Sequence, residues 1–397
     1  MIVMLLVVFV DLLGFGVLIP LLPFYGEHFH ASPAVITTLM STYSAMQLVA
    51  APLWGRLSDR VGRRPVILIS ITTSIVAYLW LGTADALWML FAARALQGLS
   101  AGNISVAQAY IADVTTRENR GRGMGKLGAA LGLGFVLGPA LGGVLAGGDP
   151  TQVEVALPSF VAAGLCSLAL IIAIFALRES LTPELRARAR RGIGRIAQIR
   201  EAFGRPRLRI LMILFFCTSF AFAGMETTFA LWARHRLDWG PLYVGMVFAI
   251  VGVVLVIVQG GLIGRIIKRY GEARALFAGT IAIAIGLALL AAAMEPVLAI
   301  IASCCLALGM GLASPSTSAL ISQEAAADEQ GGIMGVNQSV GSVARIVGPA
   351  AAGQAFELAG PSAPYVVGAL VMLISATIAF QIVRRRAGAA AISEAGA

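Results

Sequence analysis

The chain has 397 residues, 58% of them hydrophobic and 12% charged, with a mean hydropathy of +0.87. A soluble domain is roughly a quarter charged, so composition excludes an ordinary water-soluble fold, and length counts membrane spans rather than domains. The net charge of +9 invites a nucleic-acid reading, which the placement of the charges argues against.

Twelve apolar segments are long enough to cross about 30 Å of hydrocarbon. They run 2–25, 34–54, 65–83, 86–111, 121–146, 157–177, 208–232, 241–263, 273–294, 296–321, 331–356 and 363–383. In lipid each backbone N–H and C=O must be met within its own span, so the expected fold class is an all-α integral membrane protein of twelve helices. The chain opens inside span 1, without a cationic leader or a small-residue cleavage site. This segment is therefore read as a first membrane helix rather than a signal peptide.

Span 1 carries Asp11 near its middle. Span 2 carries Tyr43 and Gln47, four residues apart and so on one face. Between spans 2 and 3 lies the tight charged turn Gly55–Pro65, G-R-L-S-D-R-V-G-R-R-P. So many charges belong outside the lipid. Gly55 and Gly62 allow a close turn, and Pro65 suits the first turn of the next helix. Span 4 carries Arg94 about eight residues from its outer end, roughly 12 Å deep. Gln97, Ser105 and Gln108 follow on the same face. This stripe, with Tyr43 and Gln47, fits either the wall of a wet cavity or a set of interhelical hydrogen bonds.

In span 5, Gly128, Gly132, Gly138 and Gly142 include G-x-x-x-G spacings that permit close backbone approach, and Pro139 bends the helix. The expected partner is a helix of the other half. A dinucleotide loop is rejected because no strand precedes these glycines. The polar stretch 178–207 then separates two halves that repeat. Gly55, Arg56 and Gly62 recur as Gly264, Arg265 and Gly271, 209 residues on, and Gly138-Pro139 recurs as Gly348-Pro349, 210 residues on. Lys268 stands where Asp59 stands in the first copy. The expected domains are a six-helix bundle at 1–178, a cytoplasmic arginine-rich linker at 179–207 and a second six-helix bundle at 208–390.

In the second half, Glu226 lies toward the outer end of span 7, near Trp232, with Phe222 and Phe229 at helical spacing. Three readings stand: an aromatic, acidic pocket for a cationic compound, a second protonation site, or an edge pair with Arg234 or Arg236. Arg345 aligns with Asn337 and Gly341 on span 11. It is read as a contact for an anionic substrate group, a partner of Glu226, or a structural cation facing the cavity. Asp11, Arg94, Glu226 and Arg345 are the ionisable residues inside spans. Each costs roughly 2.5–3.5 kcal/mol at mid-bilayer, so each is expected to face a cavity or a partner.

The loops give the orientation. Loop 2–3 holds Arg56, Arg60, Arg63 and Arg64, and loop 4–5 holds Arg117, Arg120, Arg122 and Lys126. Segment 178–209, loop 8–9 and the tail bring the total on one side to 25 of the 29 Lys and Arg residues. Both termini are then cytoplasmic. The arginine-rich linker is expected to meet anionic headgroups rather than nucleic acid. Cys166, Cys217, Cys304 and Cys305 lie in apolar runs and read as small packers, although the adjacent pair Cys304-Cys305 keeps a redox reading open. His28, His30 and His235 read as solvated loop residues rather than zinc ligands. No nucleophile–base pair, Walker loop or metal-ligand cluster is legible, which argues against an enzyme or an ATP-driven pump.

Four stretches carry a family likeness: Asp11–Pro23, the turn Gly55–Pro65, Arg94–Gly98 running on to Ala109–Thr115, and Gly134–Gly143 (G-F-V-L-G-P-A-L-G-G). With them the chain resembles the twelve-helix drug/proton antiporter branch of the major facilitator superfamily, and within it the tetracycline exporters. The likeness is dense in the first half and mainly one of pattern in the second.

The resemblance implies that Asp11 carries the proton and Arg94 modulates it, the rival reading being a static salt bridge. It implies that Asp59, near the start of span 11 at Gly331–Met334, forms with Arg63 and Asp113 a conformational lock. It implies that Gly134, Gly138, Pro139, Gly142 and Gly143 form the exporter signature of span 5. The expected protein is a proton-coupled exporter of amphipathic small molecules in the cytoplasmic membrane, working by alternating access, monomeric and without a cofactor. A metabolite exporter or symporter on the same fold is the near alternative, and a non-transporting membrane receptor the distant one.

Overall fold

A computed structural model describes residues 1–116, 119–150, 153–182, 195–326 and 329–395. Arg117 and linker residues 183–194, which hold several of the basic residues counted above, lie outside the described residues. Every regular element among the described residues is helical.

Each expected span is present. Helix 1 is Ile2–Leu18, continued by Leu22–His28 after a 42° bend. Helix 2 is Pro33–Val61, helix 3 Arg63–Gly82, helix 5 Arg120–Ala146 and helix 6 Ala156–Ala176. Helix 4 comes in two pieces, Leu87–Ser100 and Asn103–Asp113. A linker helix, Arg195–Gly204, leads to helix 7, Pro206–Leu237. Helix 8 runs Pro241–Ile257, through a single π turn at Val258–Leu262, to Ile263–Tyr270. Helices 9 to 12 are Glu272–Ala292, Pro296–Gln323, Gln330–Ala359 and Ala363–Ala395. Among the described residues nine helices are individually long and apolar enough to cross a membrane, and the bent helix 1 makes a tenth.

The two broken helices depart from the expected continuous spans, each for a local reason. In helix 1 Pro20 has no N–H to offer the Gly16 carbonyl, which takes the Ile19 N–H instead (3.2 Å). Helix 4 breaks without a proline. Ala101 and Gly102 flatten the turn, with ψ near −5° and −11°. Gly102 is pressed against the Trp54 ring and the Ala50 carbonyl carbon, so a side chain there would collide with helix 2.

The chain forms two compact units. One holds Met1–Gly192 with Thr227–Gly252, the other Ile193–Glu226 with Val253–Ala397. The first is packed on Met4, Leu18, Leu22, Ile67 and Leu81, all essentially without exposure. Its outward positions remain apolar, with Phe175 85% exposed, as suits a lipid-facing surface. The inner repeat is visible in the backbone. Gly62 between helices 2 and 3 and Gly271 between helices 8 and 9 both adopt positive φ, +115° and +81°, which disfavours any side chain.

Helix 5 packs differently from the expectation. Its glycine face meets helix 1, in its own half. A Cβ on Gly138 would sit 2.7 Å from the Gly16 Cα and the Leu13 carbonyl oxygen, and one on Gly134 2.8 Å from the Phe9 oxygen. Gly142 abuts the Val17 carbonyl more closely still. Another side of helix 5 turns to a helix of the other sequence half, where Pro139 lies against Gly245 and Val136 against Gly252. Gly143 lies against Pro241 and Gly245 of helix 8, within the first unit. In the second unit a Cβ on Gly348 of helix 11 would sit 2.7 Å from the Phe220 carbonyl oxygen of helix 7, repeating the helix 1–helix 5 contact.

Candidate proton and substrate sites

Asp11 projects from helix 1 toward helices 3 and 4. Ser74 Oγ lies 3.3 Å from Asp11 Oδ1 and 2.8 Å from Ser100 Oγ. Ser100 in turn donates to the Gln97 carbonyl at 2.7 Å. Asn103, buried, lies beside the same carboxyl. Arg94 is 1% exposed. Its NH1 donates to Gln97 Oε1 at 2.8 Å, and its guanidinium stands 4.7 Å from the centre of the Tyr43 ring and 5.5 Å from that of Phe15. A buried guanidinium over two rings gains cation–π attraction where water is absent.

The expected pairing of Asp11 with Arg94 is not a direct one. Among the described residues no ion pair joins them. Arg94 is drawn onto Tyr43 and Phe15, and Asp11 onto Ser74. What connects them is the chain Asp11, Ser74, Ser100, Gln97, Arg94, with Gln97 contributing both its carbonyl and its side chain.

The other expected cavity residues separate. Tyr43 and Gln97 are buried in this network, Gln47 is half-buried and Gln108 is exposed. The Ser105 hydroxyl binds the Ala51 and Gly102 carbonyls (3.1 and 2.8 Å), an interhelical and local role.

On the basic side of the first unit, Arg63 gathers the expected cluster. It binds Asp59 at 2.5 Å through NH1 and Asp113 at 3.1 Å through Nε. Sequence reading missed three members. Ser58 accepts from Arg63 NH1 (2.7 Å), Ser180 donates to Asp113 (3.1 Å), and Glu179 accepts the backbone N–H groups of Arg63 (2.8 Å) and Arg64 (3.0 Å). Glu179 thus caps helix 3 from the chain that leaves helix 6. Partial burial acts to raise its pKa, but the N–H groups of Leu181, Arg63, Arg64 and Ser180 outweigh this and hold it below the ordinary value.

In the second unit Glu226 Oε1 is buried with no hydrogen-bond partner among the described residues. Arg345 of helix 11 is its charged neighbour. Arg345 donates to Ser342 (3.1 Å), and Gly341 leaves room for its guanidinium, with NH1 3.5 Å from where a Cβ would be. Asn337 is buried on the same helix and Phe222 is half-buried. In the first unit Phe229 stacks on Trp232 (5.8 Å between centres) and meets Phe248 edge-on (5.4 Å), while Arg234 binds Asp238. An unpaired buried carboxyl oxygen beside an arginine suits a proton or a cationic group.

The sequence model described as "Major Facilitator Superfamily" matches residues 4–349 and 260–396. The class C tetracycline resistance protein of Escherichia coli is 32% identical over 352 residues, covering 88% of this chain and 87% of its own. Multidrug resistance protein 2 of Bacillus subtilis is 29% identical over 391 residues, covering 97% and 96%. Among solved structures, the human organic anion transporter TETRAN aligns with a TM-score of 0.71 at 24% identity, over 95% of this chain and 98% of its own. A variant of the nucleoside transporter NupG aligns with a TM-score of 0.79 at 13% identity, over 96% and 98%. These two likenesses speak to the fold alone.

Proposed function

The chain belongs to the major facilitator superfamily, and from that premise we propose that it is a proton-coupled exporter of amphipathic small molecules. The relatives named for tetracycline and multidrug resistance support the substrate class. The observation that carries the coupling is Asp11, an acid within helix 1 whose hydrogen-bond partner is the Ser74 hydroxyl, beside the Asn103 amide, rather than a fixed cation. Such a group can exist with or without its proton as the surroundings change. A carboxylate locked to an arginine would stay charged.

In this reading Asp11 takes up a proton from one aqueous side and returns it to the other. Arg94 supplies a nearby positive field through Gln97 without neutralising it. Glu226, with an unpaired oxygen beside Arg345, serves as a second protonation site or holds the cationic end of a substrate. Asp59, Arg63 and Asp113 act as the conformational lock, and residues 1–178 and 208–390 as the rocking halves. The basic loops and both termini face the cytoplasm of a cell membrane. One proton moving inward gains about 2.3 kcal/mol per 100 mV, enough to support a useful gradient of a neutral compound.

The test is reconstitution in liposomes with an imposed pH gradient and a panel of neutral and cationic drugs. Gradient-dependent drug accumulation with matching proton release supports the reading. Drug movement indifferent to the gradient contradicts it.

A further inference from the structure

We propose that Ser74 and Ser100 form a hydroxyl relay that passes the protonation state of Asp11 to the break in helix 4. The proposal rests on Asp11 being the proton carrier.

A serine hydroxyl has one proton to donate. Three contacts compete for two such protons: Ser74 to Asp11 (3.3 Å), Ser74 to Ser100 (2.8 Å) and Ser100 to the Gln97 carbonyl (2.7 Å). When Asp11 carries a proton it can donate to Ser74, Ser74 to Ser100 and Ser100 to Gln97, so all three bonds form at once. When Asp11 is ionised it only accepts. Ser74 must then turn to it, and Ser100 can either donate back to Ser74 or keep Gln97, but not both. One proton on Asp11 therefore decides whether Ser100 can bond Ser74 and the Gln97 carbonyl, in the last turn of helix 4 before the break, at the same time.

The break is built to respond. Ile104 N–H reaches the Ala101 carbonyl, at 3.5 Å, where a regular helix would use Ser100. The Ser100 carbonyl is held instead by Ser70 Oγ (2.8 Å) and the Leu99 carbonyl by Trp54 Nε1 (2.6 Å). Buried backbone of this kind persists in a membrane only where neighbours satisfy it. Here helix 3 supplies Ser70 and Ser74, and helix 2 supplies Trp54. Ser70, Ser74 and Ser100 are each at most 2% exposed, so water does not substitute for a lost bond.

Other titratable groups face Asp11 from the elements around it: Tyr78 of helix 3, with Arg94 and Tyr43 acting on it, and Cys166 of helix 6. Helix 5 brings the glycines Gly134 and Gly138 against helix 1 at this level.

The experiment measures, in liposomes, the pH profile of drug-coupled proton flux and the gradient-free exchange of labelled drug for native protein, Ser74→Ala, Ser100→Ala, Ser100→Thr, Ser70→Ala and Asp11→Asn. The relay predicts that Ser74→Ala and Ser100→Ala move the pH midpoint by about one unit, a tenfold change in proton affinity, while exchange persists. Ser100→Thr restores the native midpoint. Ser70→Ala, which touches the break but not the relay, lowers thermal stability and leaves the midpoint in place. If Asp11→Asn abolishes coupling while Ser74→Ala and Ser100→Ala keep the native midpoint, the relay is wrong and the carrier stands. If Asp11→Asn retains native coupling, the carrier reading itself is wrong. Should Ser100→Ala fail to fold, Ser74→Ala and Ser100→Thr decide between the same outcomes.

Discussion

Arg63 and Asp113, fifty positions apart in the chain, meet at 3.1 Å through the Arg63 Nε, while NH1 of the same guanidinium reaches Asp59. The side chains of Arg63 and Asp113 are only 7% and 11% exposed. Removing the cation leaves Asp113 partly buried, with Ser180 as its remaining hydrogen-bond partner among the described residues. Arg63→Ala is expected to destabilise by about 2–4 kcal/mol, read as a fall in Tm of the purified protein. Arg63→Lys should recover little of this, because an ammonium cannot address two carboxylates and Ser58 from one planar fork. A Lys variant as stable as native protein would count against the cluster.

Glu179 gives the pH prediction. Its folded pKa lies below the ordinary 4.5. The stability it contributes is therefore fully present above about pH 4.5 and is lost as pH falls through the lower folded value. Glu179→Gln should lower stability by about 0.5–1 kcal/mol at pH 7, the usual size for an exposed charge at a helix N-terminus. The difference between variant and native protein should shrink as pH falls below about 4.5 and through the lower folded value. Thermal melts across that range check it, and a constant difference would contradict the charged cap.

Along helix 5 the glycines are not equivalent. Gly138 has backbone of helix 1 within 2.7 Å of any added Cβ, whereas Gly128 has nothing within 4 Å. Gly138→Ala must push two helices apart and is expected to cost about 2 kcal/mol or more, by analogy with overpacking. Gly128→Ala should be neutral or stabilising by about 0.5–1 kcal/mol from helix propensity. Tm values of the two variants, measured in one detergent, test the packing partner directly.

Glu226→Gln removes the charge beside Arg345 and keeps the shape. If Glu226 holds cationic substrates, their export should fall about tenfold or more, on the scale of a lost buried ion pair, while neutral substrates change little. Equal loss for both classes would favour a second protonation site. No loss in either would remove Glu226 from the site residues.

Much of this was legible in the sequence because lipid imposes a strong rule. A helix must satisfy its own backbone, so apolar length alone located twelve spans. The charged turn at Gly55–Pro65 placed Asp59 and Arg63 outside the lipid for the same reason, and the family likeness added Asp113. The break in helix 4 was not legible, since no proline marks it and its cause is the tertiary contact of Gly102 with Trp54. Ser70 and Ser74 went unmarked, although their i, i+4 spacing on one face was a usable sign. Glu179 was hidden among the charges of the linker. The glycine spacing of helix 5 foretold a close neighbour but not which one, because a G-x-x-x-G face carries no information about its partner.

In the proposed mechanism one carboxyl in helix 1 carries the coupled proton. The most direct measurement is pH change inside proteoliposomes when drug is added under an imposed gradient, comparing native protein with Asp11→Asn. The account predicts that native protein moves protons in step with drug and that the Asn variant, although it binds and exchanges drug, moves none. Equal proton movement in the two would contradict it.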